Sequence, residues 1–272
     1  VMSYIPGKSV IHALTGTTKL VFFLLFTFSS MLTYDTRVLL GLMVISFSCF
    51  AVSHIKFKDV SFVFWFMVVF LALNNFFIFL FSPDQGTELY GTRVVLCHLF
   101  GPYDLTREQL FYHFNISLKY FVALPIALLF ITATNPSEFA SSLNAVGVSY
   151  RIGYSVALAL RYIPDIQRDY RNISTAQQAR GVELGKKVKL HKRVKNSISV
   201  LMPLIMSSLS RIEAISNAME LRGFGKEKKR TWYVQRKFSS SDYIAIAFGV
   251  VILTASLIIT FHDGNRFWNP FV

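Results

Sequence analysis

The chain has 272 residues, of which 53% are hydrophobic, 15% are aromatic and only 16% are charged. Soluble domains carry about 25% charged residues, and the mean hydropathy of this chain is +0.46. This composition excludes a disordered chain, a disulfide-rich scaffold and an ordinary soluble enzyme. The long apolar stretches are typical of an integral membrane protein.

Five apolar segments are predicted to cross the membrane as helices. They cover about residues 19–34, 38–54, 61–81, 109–134 and 243–261. The first two are shorter than the roughly 20 residues of an average span, so helix packing or a thin local bilayer has to accommodate them. The expected fold class is an all-α integral membrane protein with about five transmembrane helices.

The net charge of +13 lies in one block of the chain. Residues 151–237 contain 19 of the 28 basic and 6 of the 15 acidic residues, which leaves nine of each elsewhere. Basic residues near spans favour the cytoplasmic side. We therefore expect the N-terminus and this block in the cytoplasm, and by alternation the loop 82–109 and the C-terminus outside.

This charge pattern divides the chain into three predicted regions. Residues 1–134 hold four spans, residues 135–237 form a basic cytoplasmic region, and residues 238–272 hold the last span and a short tail. A basic block can also bind nucleic acid, but no nucleic-acid motif or aromatic reading surface accompanies it. We expect the partner of the block to be the lipid bilayer surface and proteins, with no nucleic acid.

Two long helices are predicted within the basic region. In the first, apolar residues recur at helical spacing from Ile163, and Pro164 is expected to begin or kink the helix. The second has a heptad-like seam that predicts lengthwise packing against another helix; its members are Ile198, Leu201, Ile205, Ser208, Ile212, Ile215 and Met219. The polybasic link 185–193 between them is expected to face solvent or lipid headgroups.

The two predicted helices end in the same way. Residues 173–181 and 215–223 agree at five of nine positions, and both finish with Arg-Gly, as Arg180-Gly181 and Arg222-Gly223. A glycine after a helix favours a left-handed C-cap, and a cation in the last turn interacts favourably with the helix dipole. Capping alone does not require the shared Ile-Ser-x-Ala that precedes each ending, so the duplication, 42 residues apart, also indicates docking into two similar sockets.

A second surface lies between the two endings, where small and apolar residues alternate. The candidates for contact with a membrane partner are Leu201, Met202, Pro203, Leu204, Met206 and Ser207. Packing between the chain's own helices explains the same composition equally well, whereas the polarizable methionines favour an adaptable partner surface. The sequence leaves both explanations open.

Catalytic and metal-binding patterns are not evident in the sequence. The histidines are scattered, and Cys49 and Cys97 indicate neither a disulfide nor a thiolate site. A self-contained carrier would need ionisable groups near the membrane midplane, for which only Asn74, Asn75 and Lys119 are candidates. Such asparagines more often bond helices together, and a lysine near a span end can extend to the interface.

The two endings resemble the paired Ala-Arg-Gly motifs of the transmembrane T component of energy-coupling factor (ECF) transporters, which import vitamins and metals in prokaryotes. The matching segments are Ala-Gln-Gln-Ala-Arg-Gly (176–181) and Ala-Met-Glu-Leu-Arg-Gly (218–223), in which Leu221 stands where alanine is common. The segment 9–12 resembles the family's N-terminal signature, but Leu14-Thr15-Gly16-Thr17 stands where Leu-Asp-Pro-Arg is usual.

The resemblance implies a non-catalytic subunit in the prokaryotic cell membrane, with two cytoplasmic ABC ATPases and one small substrate-binding S component as partners. The ATPases would bind ATP and Mg, and this chain would bind no cofactor. The residues implied in ATPase docking are Ala176, Ala179, Arg180, Gly181, Ala218, Glu220, Leu221, Arg222 and Gly223. The alternatives are the permease of a conventional ABC importer, which the duplicated ending disfavours, and an autonomous secondary carrier.

Overall fold

The computed structural model describes residues 4–7, 9–100, 103–183, 189–227, 231–233, 236–262 and 266–271. Its helices and strands are α1 (Val10–Ala13), α2 (Gly16–Leu32), α3 (Thr36–Val52), α4 (Phe57–Phe81), α5 (Gln85–Tyr90), β1 (Val95–Phe100), β2 (Tyr103–Thr106), α6 (Arg107–Ala133), α7 (Pro136–Ala145), α8 (Tyr150–Ala179), α9 (Leu190–Leu221) and α10 (Ser240–Phe261). The prediction of an all-α membrane protein is confirmed, with one antiparallel two-stranded sheet added.

The chain folds into two compact units. The bundle unit comprises residues 1–142 and 236–272, and the hairpin unit comprises residues 143–235. The hairpin unit is therefore an insertion in the bundle unit that begins within the last turn of α7 and ends before α10. The three functional regions predicted at 134/135 and 237/238 stay a prediction.

The five predicted spans are the helices α2, α3, α4, α6 and α10 of the bundle unit. Among the described residues, α4, α6, α10 and the segment Val194–Leu221 of α9 are long and apolar enough to cross a membrane. The helices α2 and α3 have 17 residues each, so each is about 26 Å long, and their predicted shortness is confirmed.

The core of the bundle unit lies between α2, α3, α6 and α10. It contains Phe26, Leu42, Val122, Ile126 and Ile252, all at most 7% exposed. Each of the four helices supplies at least one apolar side chain to this cluster. The apolar faces of these spans therefore pack on one another as well as facing lipid.

The helices α2 and α10 run parallel and are joined by hydrogen bonds at a constant offset of 227 residues. The Thr15 hydroxyl donates to Asp242 (3.0 Å), the Ser29 hydroxyl to Ser256 (2.7 Å) and the Thr260 hydroxyl to Thr33 (2.6 Å). Gly249 lies between the first two of these hydrogen bonds, where a Cβ atom would stand 3.2 Å from Phe22 and Leu25. Small and hydroxyl residues thus bring the first and last spans close together.

The two ends of the bundle unit are each tied by a separate set of contacts. At one end, Arg236 donates to the carbonyls of Ala13 and Leu14 and pairs with Glu138 at 2.7 Å. At the other end, Arg266 donates to the carbonyls of Met31 and Leu32. The five spans accordingly alternate in direction between these two ends.

The segment 82–109, expected to be a loop, is largely ordered into α5 and the sheet of β1 and β2. Its order rests on two fully buried side chains at the start of α6. The Glu108 carboxylate accepts hydrogen bonds from the backbone N–H of Val94 and the hydroxyl of Thr92, and the Gln109 amide bonds Gly86 and Ser82. A Cβ atom on Gly86 would lie 2.6 Å from the α6 backbone, so this contact requires glycine.

Candidate docking surface

The helices α8 and α9 form an antiparallel hairpin. Contacts pair Tyr154 with Phe224 (4.9 Å between ring centroids), Asp169 with Arg211 (2.5 Å) and Glu183 with Asn196 (2.9 Å). Residue numbers rise along one helix as they fall along the other. The ends of α8 and α9 therefore lie at opposite ends of the hairpin.

The expectation that Pro164 begins or kinks the first of these helices is corrected in part. The helix α8 begins at Tyr150, with Ser149 accepting a hydrogen bond from the backbone N–H of Arg151, and Pro164 lies inside it. Proline removes one backbone donor, but fourteen helical residues precede it here. The apolar spacing from Ile163 marks the exposed side of this helix, because Ile163 and Ile166 are both exposed.

The helix α8 ends in a glycine C-cap, as predicted. Gly181 has a φ of +87°, its N–H donates to the carbonyl of Gln178 at 3.0 Å, and the N–H of Val182 donates to that of Gln177 at 3.0 Å. These two bonds define a Schellman motif, which satisfies the last carbonyls of the helix. Arg180 is the C-cap residue, and its side chain is exposed.

The helix α9 ends with the same motif at the equivalent residues. Gly223 has a φ of +65°, its N–H donates to the carbonyl of Glu220 at 2.9 Å, and the N–H of Phe224 donates to that of Met219 at 2.9 Å. Arg222 is the C-cap residue and is exposed. The sequence repeat is thus also a structural repeat, and we call the two endings (residues 176–182 and 218–224) the tips.

The candidate docking residues lie together at the two tips. Most of them are exposed, Leu221 at 89%, whereas Gly223 is half-buried; the exposed set comprises Ala176, Ala179, Arg180, Gly181, Ala218, Glu220, Leu221 and Arg222. The second tip is further held by Phe224, which packs on Tyr150 and Tyr154, and by Arg151, which donates to the carbonyl of Gly225 at 2.8 Å.

The helix α9 exposes much of its apolar surface. Among the candidate partner contacts, Leu204 is buried, and the exposed ones are Leu201, Met202, Pro203, Met206 and Ser207. The predicted seam is only half right: Ser208, Ile215 and Met219 lie on the less exposed side, whereas Ile198, Leu201, Ile205 and Ile212 are exposed. The less exposed line instead contains Val200, Leu204, Ser208, Arg211, Ile215 and Met219.

That correction has a simple physical reason. The helix α9 carries apolar residues on more than one side, so heptad spacing alone selects a line of them without identifying which line packs inside. Arg211, a charged residue, occupies the inner line because Asp169 pairs with it. An opposite charge at contact distance offsets the cost of partial burial.

Two polar residues within the spans, Asn75 and Lys119, have structural partners. The Asn75 amide donates to the carbonyl of Leu71 and to Ser117, and its carbonyl oxygen lies 2.8 Å from His113 Nδ1. The ammonium of Lys119 donates to the carbonyl of Met31 (3.1 Å) and lies over the Tyr34 ring. The contacts of Asn75 join α4 to α6, and Lys119 supports the last turn of α2.

A buried polar network, which was not predicted, joins the N-terminal segment to α6 and α10. The Asp242 carboxylate accepts from the Thr15 N–H (2.8 Å) and from Ser239, and the Lys19 ammonium donates to the carbonyl of Ala133 (2.8 Å). The motif Ser239-x-x-Asp242 is a capping box that the sequence does display. Its long-range partner, Thr15, had no sequence signal.

Thr15 and Gly16 belong to the segment that departs from the family's usual Leu-Asp-Pro-Arg. The Thr15 side chain accepts a hydrogen bond from the Thr18 N–H and so caps α2, a function that aspartate would also serve. A Cβ atom on Gly16 would stand 3.0 Å from Glu138. The departure therefore preserves the helix start and allows a close approach of α7.

His12 lies beside this network, outside the spans. Its Nε2 donates to the carbonyl of Ile5 at 3.1 Å, and the Ser9 hydroxyl lies 2.7 Å from its Nδ1. Burial lowers the pKa of His12 below its ordinary value, and the nearby Lys19 ammonium lowers it further, partly opposed by the Ile5 hydrogen bond. We infer that His12 is neutral and structural at pH 7.

Among the residues that the structure describes, no group of three His, Cys, Asp or Glu side chains could hold a metal ion. Cys49 and Cys97 are both free thiols, and Cys97 lies in β1 rather than in a loop. Residues 185–188 of the predicted polybasic link lie outside the described residues, whereas residues 190–193 form the first turn of α9 rather than a loop.

The chain is similar over most of its length to known transport proteins. The family described as cobalt transport protein (CbiQ) matches residues 7–233. The energy-coupling factor transporter transmembrane protein EcfT of Exiguobacterium sibiricum is 25% identical over 264 residues, covering 93% of this chain and 94% of the relative. EcfT of Bacillus subtilis is 25% identical over 268 residues (93% and 95%), and EcfT 1 of Listeria monocytogenes is 26% identical over 269 residues (94% and 95%). The resemblance carried by the two tips is confirmed.

Proposed function

Because this chain belongs to the CbiQ family of transport proteins, we propose that it is the coupling subunit of an ECF-type importer of a vitamin or a metal ion. The chain itself is a multi-pass, non-catalytic membrane subunit. Two cytoplasmic ABC ATPases, which bind ATP and Mg, dock on the tips of α8 and α9. A small membrane S component, which binds the cargo, rests on the outer side of α9.

The observation that carries this proposal is the matched pair of exposed Arg-Gly tips. Each tip ends in the same Schellman motif with an arginine as the C-cap residue. Capping needs only the glycine, so the helix ending by itself does not explain why an arginine is repeated at both tips. Its planar guanidinium can bind a carboxylate in a groove with two parallel hydrogen bonds.

The placement of the tips supports two sockets rather than one. Each tip arginine lies eleven residues beyond the contact between Asp169 and Arg211, or about 16 Å along its helix. The helices run antiparallel, so the two arginines are separated by on the order of 30 Å. At such a separation, we expect each tip to dock on its own ATPase subunit.

The outer side of α9 supports the contact with the S component. Its exposed candidates are mostly apolar, and Met202 and Met206 are about half exposed. An exposed apolar surface of this extent is typical of an interaction site, and flexible methionine suits a surface that contacts more than one partner.

The two contacts together define a mechanism. ATP binding and hydrolysis close and open the ATPase pair, and this motion displaces the two tips. The hairpin passes the displacement to the S component, which topples in the membrane and releases its cargo inside. The N-terminus and the hairpin unit lie in the cytoplasm and the C-terminus lies outside.

The decisive experiment is affinity purification of the chain from its native membrane in mild detergent, for the wild type and the double variant Arg180→Glu/Arg222→Glu. The wild type is expected to retain two ABC ATPase subunits and a small membrane protein, and the double variant to lose the ATPases. The charge-matched control is Arg171→Glu/Lys195→Glu, which reverses two exposed basic residues on the same helices.

Three outcomes would contradict the proposal. Retained ATPases and uptake in the tip variant would refute the docking role of the arginines. If the control variant lost the ATPases to the same extent as the tip variant, the loss would reflect the change in overall charge rather than a specific role of the tip arginines. Transport by the purified chain in liposomes without ATP would identify an autonomous carrier.

A further inference from the structure

The ion pair between Asp169 and Arg211 joins equivalent positions of the internal repeat. Asp169 lies eleven residues before Arg180, and Arg211 lies eleven residues before Arg222. The repeat offset of 42 residues therefore relates the two members of the pair. When a residue contacts its own equivalent, the contact lies on a twofold axis. The pair thus marks a local pseudo-twofold axis of the hairpin.

The two copies of the internal repeat have matching residues at the tips but different residues at positions 169 and 211. The tip positions are matched, with Ile173 and Ile215, Ser174 and Ser216, Ala176 and Ala218, Arg180 and Arg222, and Gly181 and Gly223 as equivalent pairs. At the axis, a charged residue repeated in both helices would face its own charge. Opposite charges at the equivalent positions 169 and 211 remove this repulsion and replace it with attraction.

The pair is held firmly enough to set the geometry of the hairpin. The Arg211 Nη2 donates to the Asp169 Oδ2 at 2.5 Å, and the guanidinium lies 5.7 Å from the Tyr162 ring centroid. Both side chains are only about one-third exposed. A charge-assisted bond in such a site is directional, whereas apolar contacts between α8 and α9 tolerate sliding and rotation.

We infer that Asp169 and Arg211 are positioning residues that fix the relative placement of the two tips, so that both ATPase sockets are engaged at once. This inference rests on the proposed docking function. The pair is equidistant from the two arginines, so any rotation at the pair displaces both tips by similar amounts in opposite directions. Loss of the pair leaves each tip intact and removes the constraint between them.

The test compares Asp169→Arg, Arg211→Asp and the charge swap Asp169→Arg/Arg211→Asp in the assembled complex, reconstituted in liposomes. Three quantities are measured: ATPase co-purification, ATP hydrolysis, and cargo uptake per ATP hydrolysed. The single variants are expected to retain the ATPases but to lower uptake per ATP by about fivefold or more, and the swap to restore it. Asp165→Arg, which changes a partly exposed residue one turn away, is the matched control and should leave uptake unchanged.

The outcomes separate this inference from the docking proposal. If the wild-type chain retains no ATPase, the docking proposal fails. If ATPases are retained and the single variants transport with normal uptake per ATP, only the positioning role fails. A swap that folds but does not restore coupling also overturns it, because a positioning pair should function with its charges exchanged. If the single charge reversals prevent assembly, Asp169→Asn decides, since it keeps the side-chain shape: normal uptake per ATP in that variant refutes the role, and reduced uptake supports it.

Discussion

The bundle unit and the hairpin unit differ in how many of their side chains are buried within the chain itself. In the bundle unit, α6 alone has twelve buried residues, including Glu108, Gln109 and Asn115 with their hydrogen-bond partners. In the hairpin unit, the buried residues are Tyr150 and Gly153 in α8 and, among the α9 residues whose burial is described, Val200 and Leu204. The helices are long in both units, but only the bundle unit encloses a core.

This difference in burial indicates which surfaces of the chain need no contact with another protein. The apolar exterior of the bundle unit faces lipid, and the backbone polar groups of its spans are satisfied within the helices, as a membrane interior requires. The hairpin unit exposes large apolar side chains such as Ile205, Met206 and Leu209 together with the two tips. Its surface is consistent with a structure whose remaining contacts come from other proteins.

The largest expected effect concerns the buried network of the bundle unit. Asp242→Ala leaves the Thr15 and Ser239 donors without their acceptor, and we expect a loss of about 3 kcal/mol in stability. Asp165→Ala in the hairpin unit removes a partly exposed ion pair and should change stability by less than about 0.5 kcal/mol. Thermal unfolding of the two purified variants in detergent measures both effects. Equal losses of stability would contradict the difference in internal packing between the two units.

A smaller effect is expected at the tips. Gly181 and Gly223 have positive φ values, so Gly181→Ala or Gly223→Ala should cost about 1 kcal/mol. The cost should be local: amide hydrogen exchange at Val182 or Phe224 should accelerate while exchange in α6 stays unchanged. Gly41→Ala, in the interior of α3 with open space around it, is the control and should stabilise by up to about 1 kcal/mol. Faster exchange throughout the bundle would show that the tips are part of one cooperative unit.

The smallest effect is a pH dependence that should be confined to the bundle unit. Burial lowers the pKa of His12, so the unfolded chain binds more protons than the folded chain as the pH falls below about 6.5. The contribution of His12 is therefore complete at neutral pH and is lost progressively on acidification. Unfolding temperatures measured between about pH 5 and 7 should fall less steeply in His12→Gln, which cannot take up a proton. An unchanged slope would place the titrating group elsewhere.

Features set by local interactions were the ones that the sequence could predict. The C-caps at Gly181 and Gly223 depend on residues within one turn, and both formed at the predicted positions. The spans were predicted from length and hydropathy alone and differ from the helices by a few residues at their ends. The family resemblance depended on the same local motifs.

Features set by distant contacts were missed. Thr15 and Asp242 are 227 residues apart, and nothing near either residue indicates the other. The sheet of β1 and β2 and the burial of Glu108 depend on how the chain returns over α5. For the inner line of α9, the deciding contact was an ion pair with α8, which apolar periodicity does not register.

The parallel pairing of α2 with α10 has a consequence for biosynthesis. The helix α2 meets its hydrogen-bonded neighbour α10 only when α10 emerges from the ribosome, after the entire hairpin unit has been made. Until then Ser29 and Thr33 face lipid or another helix without these partners. Completion of the bundle is therefore a late event in synthesis, and a chain truncated before α10 would present a polar stripe by which a membrane quality-control protease could distinguish it from the finished subunit.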